Sequence, residues 1–223
     1  MTLTLIHHQW KAFWRSKNSG KSITIRVIMA LLILYLFANL LVVSFFIDQI
    51  LLSLFPKVDV VTAFASCLLY YFLLDILARF QMQELPTLSV KPYLNLDIKR
   101  RQIVNYLSFI SLSSGFNLAP FILTLPFLIK IVLPQHGIAV FCGLLVAIMG
   151  CTVFNHFFSL WLKRKVNLNA WWMLAFLGVI GLLIFLDFYL QIISFSATST
   201  LIFNGIISKP VLAILPVLLA VMM

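Results

Sequence analysis

The sequence predicts an all-α, polytopic membrane bundle of about six transmembrane helices, preceded by an interfacial amphipathic helix. Three observations carry that expectation. Of 223 residues, 63% are hydrophobic and 10% are charged, against ~45–50% and ~25% in water-soluble domains. The stretches 27–47, 102–129, 131–162, 166–186 and 188–208 contain no Asp, Glu, Lys or Arg. The basic residues that separate them collect between alternate stretches. A helix needs ~20 residues to cross ~30 Å of hydrocarbon, and in lipid every backbone amide must be satisfied within its own segment, so these runs read as helices. Residues 1–223 read as a single transmembrane domain.

Taken in order, residues 2–17 place Leu3, Ile6, Trp10, Phe13 and Trp14 on one arc, with His8, Lys11 and Arg15 opposite. That pattern suits a helix lying in the membrane interface; the plainer alternative is a basic tail that only sets orientation. Asn18-Ser19-Gly20-Lys21-Ser22 ends like a phosphate-binding loop, but Arg15 stands where the first glycine is needed and no strand precedes it, so it reads as a turn. The first span is expected at 27–48. It is too long for a signal peptide and lacks a cleavage pattern, so it stays as an anchor. The second is expected at 60–81 and contains Asp75 and Arg79, four apart, which suits a local ion pair close to the interface. Further spans are expected at 103–130, 138–162 and 170–192, with a sixth beginning in 200–210. Only 14 charge-free residues follow Lys209, about 21 Å of helix, so this last helix is expected to be incomplete. Cys67, Cys142 and Cys151 fall inside apolar runs without a CxxC pair and read as packing residues.

Alternate crossing gathers thirteen basic residues on one side: five before span one, Arg79, Lys91, Lys99, Arg100 and Arg101 between spans two and three, and Lys163, Arg164 and Lys165 after span four. The opposite side, with loops 49–59 and 131–137, has Lys57 and, at the end of span three, Lys130. Lys/Arg excess marks the cytoplasm, so the N-terminus, residues 82–101 and residues 163–169 are expected inside, in a bacterial inner membrane. The net charge of +10 is thereby explained by topology, and no nucleic acid is expected as a partner.

The longest polar stretch, 81–101, contains Pro86 and Pro92 around a short segment, and Asp97 stands where it could cap the next helix. Leu85, Leu88, Val90, Tyr93 and Leu94 are too apolar for a mere connector. They dock either on the protein's own cytoplasmic ends or on another protein. In the third span Asn117, Pro120 and Pro126 follow a run of serines, a pattern read either as ordinary close packing or as a broken helix lining a pathway.

Candidate chemistry is sparse. Asp75, Arg79, Asn117 and His156 are the candidate intramembrane polar residues. His156 lacks a carboxylate near it in sequence, Asp187 is expected near the outer end of span five, and His7, His8 and His136 fall outside the spans. With no metal-binding motif, nucleophile elbow or acidic cluster, no catalytic residue, cofactor or metal is expected, and the chain is not expected to be an enzyme.

The stretch HQWKAFWRSKNSGKS, a second span ending LLDILARFQMQELP and a compact loop running through PYL to KRRQIV together resemble the transmembrane subunit of an ABC-2-type exporter. More closely, the chain is similar to an uncharacterised bacterial family labelled ABC transporter permease. The resemblance implies that 2–17 is an elbow helix and that 82–101 is a cytoplasmic coupling loop received by a separate cytosolic ATP-binding subunit. The coupling residues would be Glu84, Leu85, Pro86, Leu88, Pro92 and Tyr93, with Lys99, Arg100 and Arg101 leading into span three. It also implies a dimer or pseudo-dimer of permease halves in the lipid bilayer. Members of that family are longer, so this chain is expected to be an N-terminal portion. The competing expectations are a membrane anchor or scaffold without transport activity, and a lipid-acting membrane enzyme.

Overall fold

A computed structural model describes residues 21–83, 107–108, 111–112, 114–190 and 194–222. The elbow segment 2–17 and the coupling residues Glu84 to Arg101 lie outside the described residues. Every regular element among those described is helical: α1 (Lys21–Phe45), α2 (Ile47–Leu54), α3 (Val60–Met82), α4 (Gly115–Phe127), α5 (Leu133–Leu168), α6 (Trp171–Phe188), α7 (Phe195–Ser208) and α8 (Ile214–Met222). A π-helical turn, Leu128–Val132, joins α4 to α5, and a 3-10 turn, Pro210–Ala213, leads into α8. Val60–Met82, Gly115–Leu168 and Trp171–Phe188 are long and apolar enough to cross a membrane, and the bent α1–α2 pair makes a fourth candidate. Two shorter apolar helices, Phe195–Ser208 and Pro210–Met222, follow.

The first apolar run differs from the expected span 27–48. It ends at Phe45, bends by 56° and continues as α2, so most of the expected loop 49–59 is helical. The bend is pinned from outside the helix. Ser44 Oγ donates to the Leu123 carbonyl of α4, and Lys130 pairs with Asp48 at 2.7 Å while reaching the Phe45 carbonyl. α3 then starts at Asp59, whose carboxylate accepts from the backbone N–H groups of Val61 and Thr62, the usual N-cap arrangement.

The stretch Gly115–Leu168 is 54 residues long, roughly 80 Å if straight, more than twice a hydrocarbon layer. It does not run straight. Asn117 and Asn155 both bond to the same ion pair on α3, so the chain turns back between them. The reversal is at Gly137, whose φ of 82° is left-handed territory open to glycine. The expected loop 131–137 is therefore helical as far as His136. Pro126 has no N–H to give the carbonyl four residues earlier, and the π-turn at Leu128 follows directly, as helix irregularities at proline do. At the other end α5 continues beyond the expected 162 through Lys163, Arg164 and Lys165, and the expected loop 163–169 reduces to Asn169 and Ala170. Asn169 Oδ1 accepts from the Trp171 N–H, and Lys165 sits over the rings of Trp161 and Trp172.

α6 stops at Phe188, short of the expected 192, and α7 starts at Phe195, before the expected window of 200–210. Asp187 spans the junction. Its carboxylate accepts from Tyr70 Oη at 2.6 Å and from the Phe195 N–H at 3.1 Å, so Asp187, half-buried at the end of α6, is bonded to α3. α7 climbs antiparallel to α3, with Ser199 Oγ reaching the Ala65 carbonyl and accepting from the Leu69 N–H. After Lys209 the chain turns back, and α8 descends beside α5, with Pro210 against Gly143 and Pro216–Val217 against Gly150. The apolar core lies where these helices meet, with Phe64 stacked on Phe127 at 4.2 Å and Leu128, Leu144, Ala147, Ile148 and Phe203 buried around them. Cys67 and Cys151 pack against this core, and Cys142 is exposed.

Candidate functional site: a buried polar lock

Charges within an apolar bundle must be paired and hydrogen-bonded, and the most deeply buried case among the described residues is on α3. Arg79, on α3, is fully buried. Its Nε donates to Asp75 Oδ2 at 2.7 Å, Nη1 to Asn117 Oδ1 at 2.6 Å, and Nη2 to the Phe116 carbonyl at 2.9 Å. The last acceptor exists because of a proline: in a regular helix the residue 120 N–H would take the Phe116 carbonyl, and Pro120 has none to offer. The carbonyl that Pro120 releases is one that Arg79 satisfies. Asn117 is itself held, donating through Nδ2 to the Leu112 carbonyl at 2.7 Å. From the opposite side Asn155, on α5, donates to both Asp75 Oδ2 and the Phe72 carbonyl at 2.9 Å.

A second layer follows at the end of α3. His156 Nδ1 is 3.0 Å from Gln83 Nε2, and His156 Nε2 is 2.8 Å from Ser111 Oγ. Ser159 Oγ donates to Gln83 Oε1 at 3.1 Å, and Lys163 Nζ donates to the Gln83 carbonyl. One self-consistent assignment shares the single Ser159 hydrogen between Gln83 Oε1 and the His156 carbonyl at 2.8 Å. The Gln83 amide donates to Nδ1, Nε2–H donates to Ser111, and Ser111 donates onward to the Ser108 carbonyl at 2.8 Å. In that assignment the imidazole is neutral and both its nitrogens are occupied. In the same assignment Ser111 accepts from the ring and donates its own hydrogen to a carbonyl. Among the described residues no group of three His, Cys, Asp or Glu could hold a metal ion. The arrangement fixes three helices to one another.

All four candidate intramembrane polar residues are brought together: Asp75, Arg79 and Asn117 in the first layer and His156 in the second. The ion pair expected close to the interface is formed but buried. The expectation passed over Gln83, Asn155, Ser159 and Lys163, although a signal exists. Asp75, Arg79 and Gln83 are spaced i, i+4, i+8 on α3, and Asn155, Ser159 and Lys163 repeat that spacing on α5. Each is a polar stripe on one face of an apolar helix, and the stripes face each other.

No curated protein and no solved structure gives a significant match. A family model described as a family of unknown function, DUF5687, matches residues 9–223. With nearly the whole chain covered by that model, the protein belongs to the DUF5687 family.

Proposed function

We propose that this chain is the transmembrane permease subunit of an ATP-driven, ABC-type exporter, energised by a separate cytosolic ATP-binding subunit. It would work as a dimer or pseudo-dimer of such halves in a bacterial inner membrane. In this reading the bent α1–α2 pair, α3, α4 up to His136, and α5 are the first four crossings. α6 and α7 form one broken crossing, and the run from Pro210 begins the sixth. The N-terminus is cytoplasmic, residues 2–17 are the elbow helix, and Glu84 to Tyr93 meet the ATP-binding partner.

The position of the polar lock carries the reading. It ties Gln83, just before segment 84–106, and Ser111 and Asn117, just after it, to the same face of α5. A push on that segment would reach a braced set of helices rather than two loose ends, which is what energy transfer from an outside ATPase needs. A passive anchor has no comparable use for a buried arginine, whose desolvation is costly.

Affinity purification in mild detergent followed by mass spectrometry tests this, with an ATP-binding protein expected among the retained partners. Leu88→Ala combined with Tyr93→Ala should weaken that association at least ~30-fold, as loss of two buried interface anchors does, while the amount in the membrane is unchanged. If the double variant disappears from the membrane with partner binding per molecule intact, the segment is internal packing and the reading fails. Orientation is tested separately, with Cys67, Cys142 and Cys151 replaced. An impermeant maleimide should label Lys57→Cys in intact cells and spare Asp97→Cys; the reverse pattern overturns the topology.

A further inference from the structure

α7 and α8 leave Lys209 as the two legs of a V, and each leg is fastened to a different neighbour. Ser199 bonds α7 to α3, while Gly143 and Gly150 let α8 lie directly on α5. The legs therefore diverge, and the wedge between them stays open as a cavity of about 550 Å³. This is within the size range of sites that hold small molecules. Leu69, Phe72, Phe154, Phe203 and Ile206 are among its walls, and among the described residues Asn155 is the only lining side chain with a nitrogen or oxygen. Both Asn155 contacts from its Nδ2 are already directed away to Phe72 and Asp75. The rim consists of Leu201, Leu212, Leu215 and Leu219, all exposed and all apolar.

We propose that this cavity is a specific site for one hydrocarbon chain of an amphipathic lipid-like molecule, which enters sideways between α7 and α8. Chemistry selects that occupant. A cavity whose walls are apolar apart from one amide takes apolar ligands, and a leucine rim on a chain of this hydropathy opens to the hydrocarbon of the bilayer. The site is also placed to be felt elsewhere. Asn155 is both part of its lining and a ligand of Asp75, so an occupant that shifts the Asn155 amide acts on the Arg79 ion pair. Taken as the substrate entrance of the exporter, the site names a lipid-like substrate class and rests on the permease reading. As a binding site it stands without it.

The test uses the full chain in vesicles of phosphatidylglycerol containing increasing fractions of phosphatidylglycerol with a photoreactive diazirine in one acyl chain. Cross-linking should saturate on the peptide containing residues 199–219, whereas adducts on α6 around Leu177 should rise in proportion to probe. Leu215→Trp, at the exposed rim, should reduce the saturable signal at least about tenfold, the loss expected when roughly two methylenes are displaced. Leu177→Trp should leave it unchanged. Leu219→Trp provides a second rim variant should Leu215→Trp fail to insert. Cross-linking that rises linearly and equally at both places, or that neither rim variant lowers, means ordinary boundary lipid and overturns the proposal. No ATP-binding partner takes part, so failure of the permease reading leaves this outcome unaffected.

Discussion

α5 touches α3 and α8 by opposite means. Toward α3 it presents Asn155, Ser159 and Lys163, and the contact is made by side chains that bond in defined directions. Toward α8 it presents Gly143 and Gly150, and the contact is made by removing side chains until the two backbones nearly meet. In lipid, where helices gain little from hydrophobic burial against each other, hydrogen bonds and close backbone approach are the two remaining sources of specific association. One helix uses each on a different face. The first contact should fail when a partner is taken away, the second when an atom is added.

The largest expected effect breaks the directional contact. Arg79→Met would leave the Asn117 amide oxygen and the Phe116 carbonyl without their donor, and the Asp75 charge without its counter-ion and with Asn155 alone as donor. Removing one member of a buried pair costs ~3–5 kcal/mol, and unfolding in mixed micelles should show a loss of that size. Asp75→Leu combined with Arg79→Met should be less destabilised than Arg79→Met alone, because no uncompensated charge remains. Equal losses would mean that the pair is not coupled.

An intermediate effect is expected at the glycine contact. A Cβ on Gly150 would stand 2.7 Å from the Val217 nitrogen and 2.8 Å from the Pro216 carbonyl carbon, and backbone cannot swing aside as a long side chain can. Gly150→Val should therefore cost ~1–3 kcal/mol, the usual range for overpacking. Gly178→Ala on α6 is the control. No atom lies within 4 Å of a Cβ there, so it should be neutral or should stabilise by ~0.5–1 kcal/mol through helix propensity. Thermal unfolding of both variants checks the contrast, and similar losses at the two glycines would remove the distinction.

The smallest effect belongs to the pair that joins the α1–α2 bend to the π-turn. Lys130 is 44% exposed, so its bond to Asp48 is discounted by solvent, and Lys130→Met should cost ~0–1 kcal/mol. A loss rivalling that of Arg79→Met would show that the bend, not the lock, organises the bundle.

Helix content and the approximate starts of α3, α5 and α6 were legible because apolar run length and charge placement dictate them. The ends were not. Phe45, where α1 stops, lies inside an unbroken apolar run, and the bend there is imposed by Ser44 and Lys130 acting on residues far along the chain. The break between α6 and α7 was hidden for the same reason, since Asp187 and Tyr70 meet only in the folded molecule. Four members of the lock stood out as polar residues in apolar surroundings. Gln83 and Lys163 did not, because each sits at the edge of its run, where a polar residue is unremarkable. Their matching spacing on two helices becomes informative once α3 and α5 are known to be neighbours running in the same direction.

Gly137 has a consequence for how this protein is made. A turn in which one residue leaves the helical conformation provides almost no slack, so the helix that begins at Gly115 and α5 cannot be delivered to the bilayer as independent pieces separated by a waiting loop. They form one hairpin whose arms meet from the turn onward. Lys130 is the one charged side chain near its tip. An epitope inserted at that tip would prise the two arms apart at the point where their pairing begins, whereas the same insertion at Pro56–Lys57 falls in a turn outside any helix and leaves the hairpin to form.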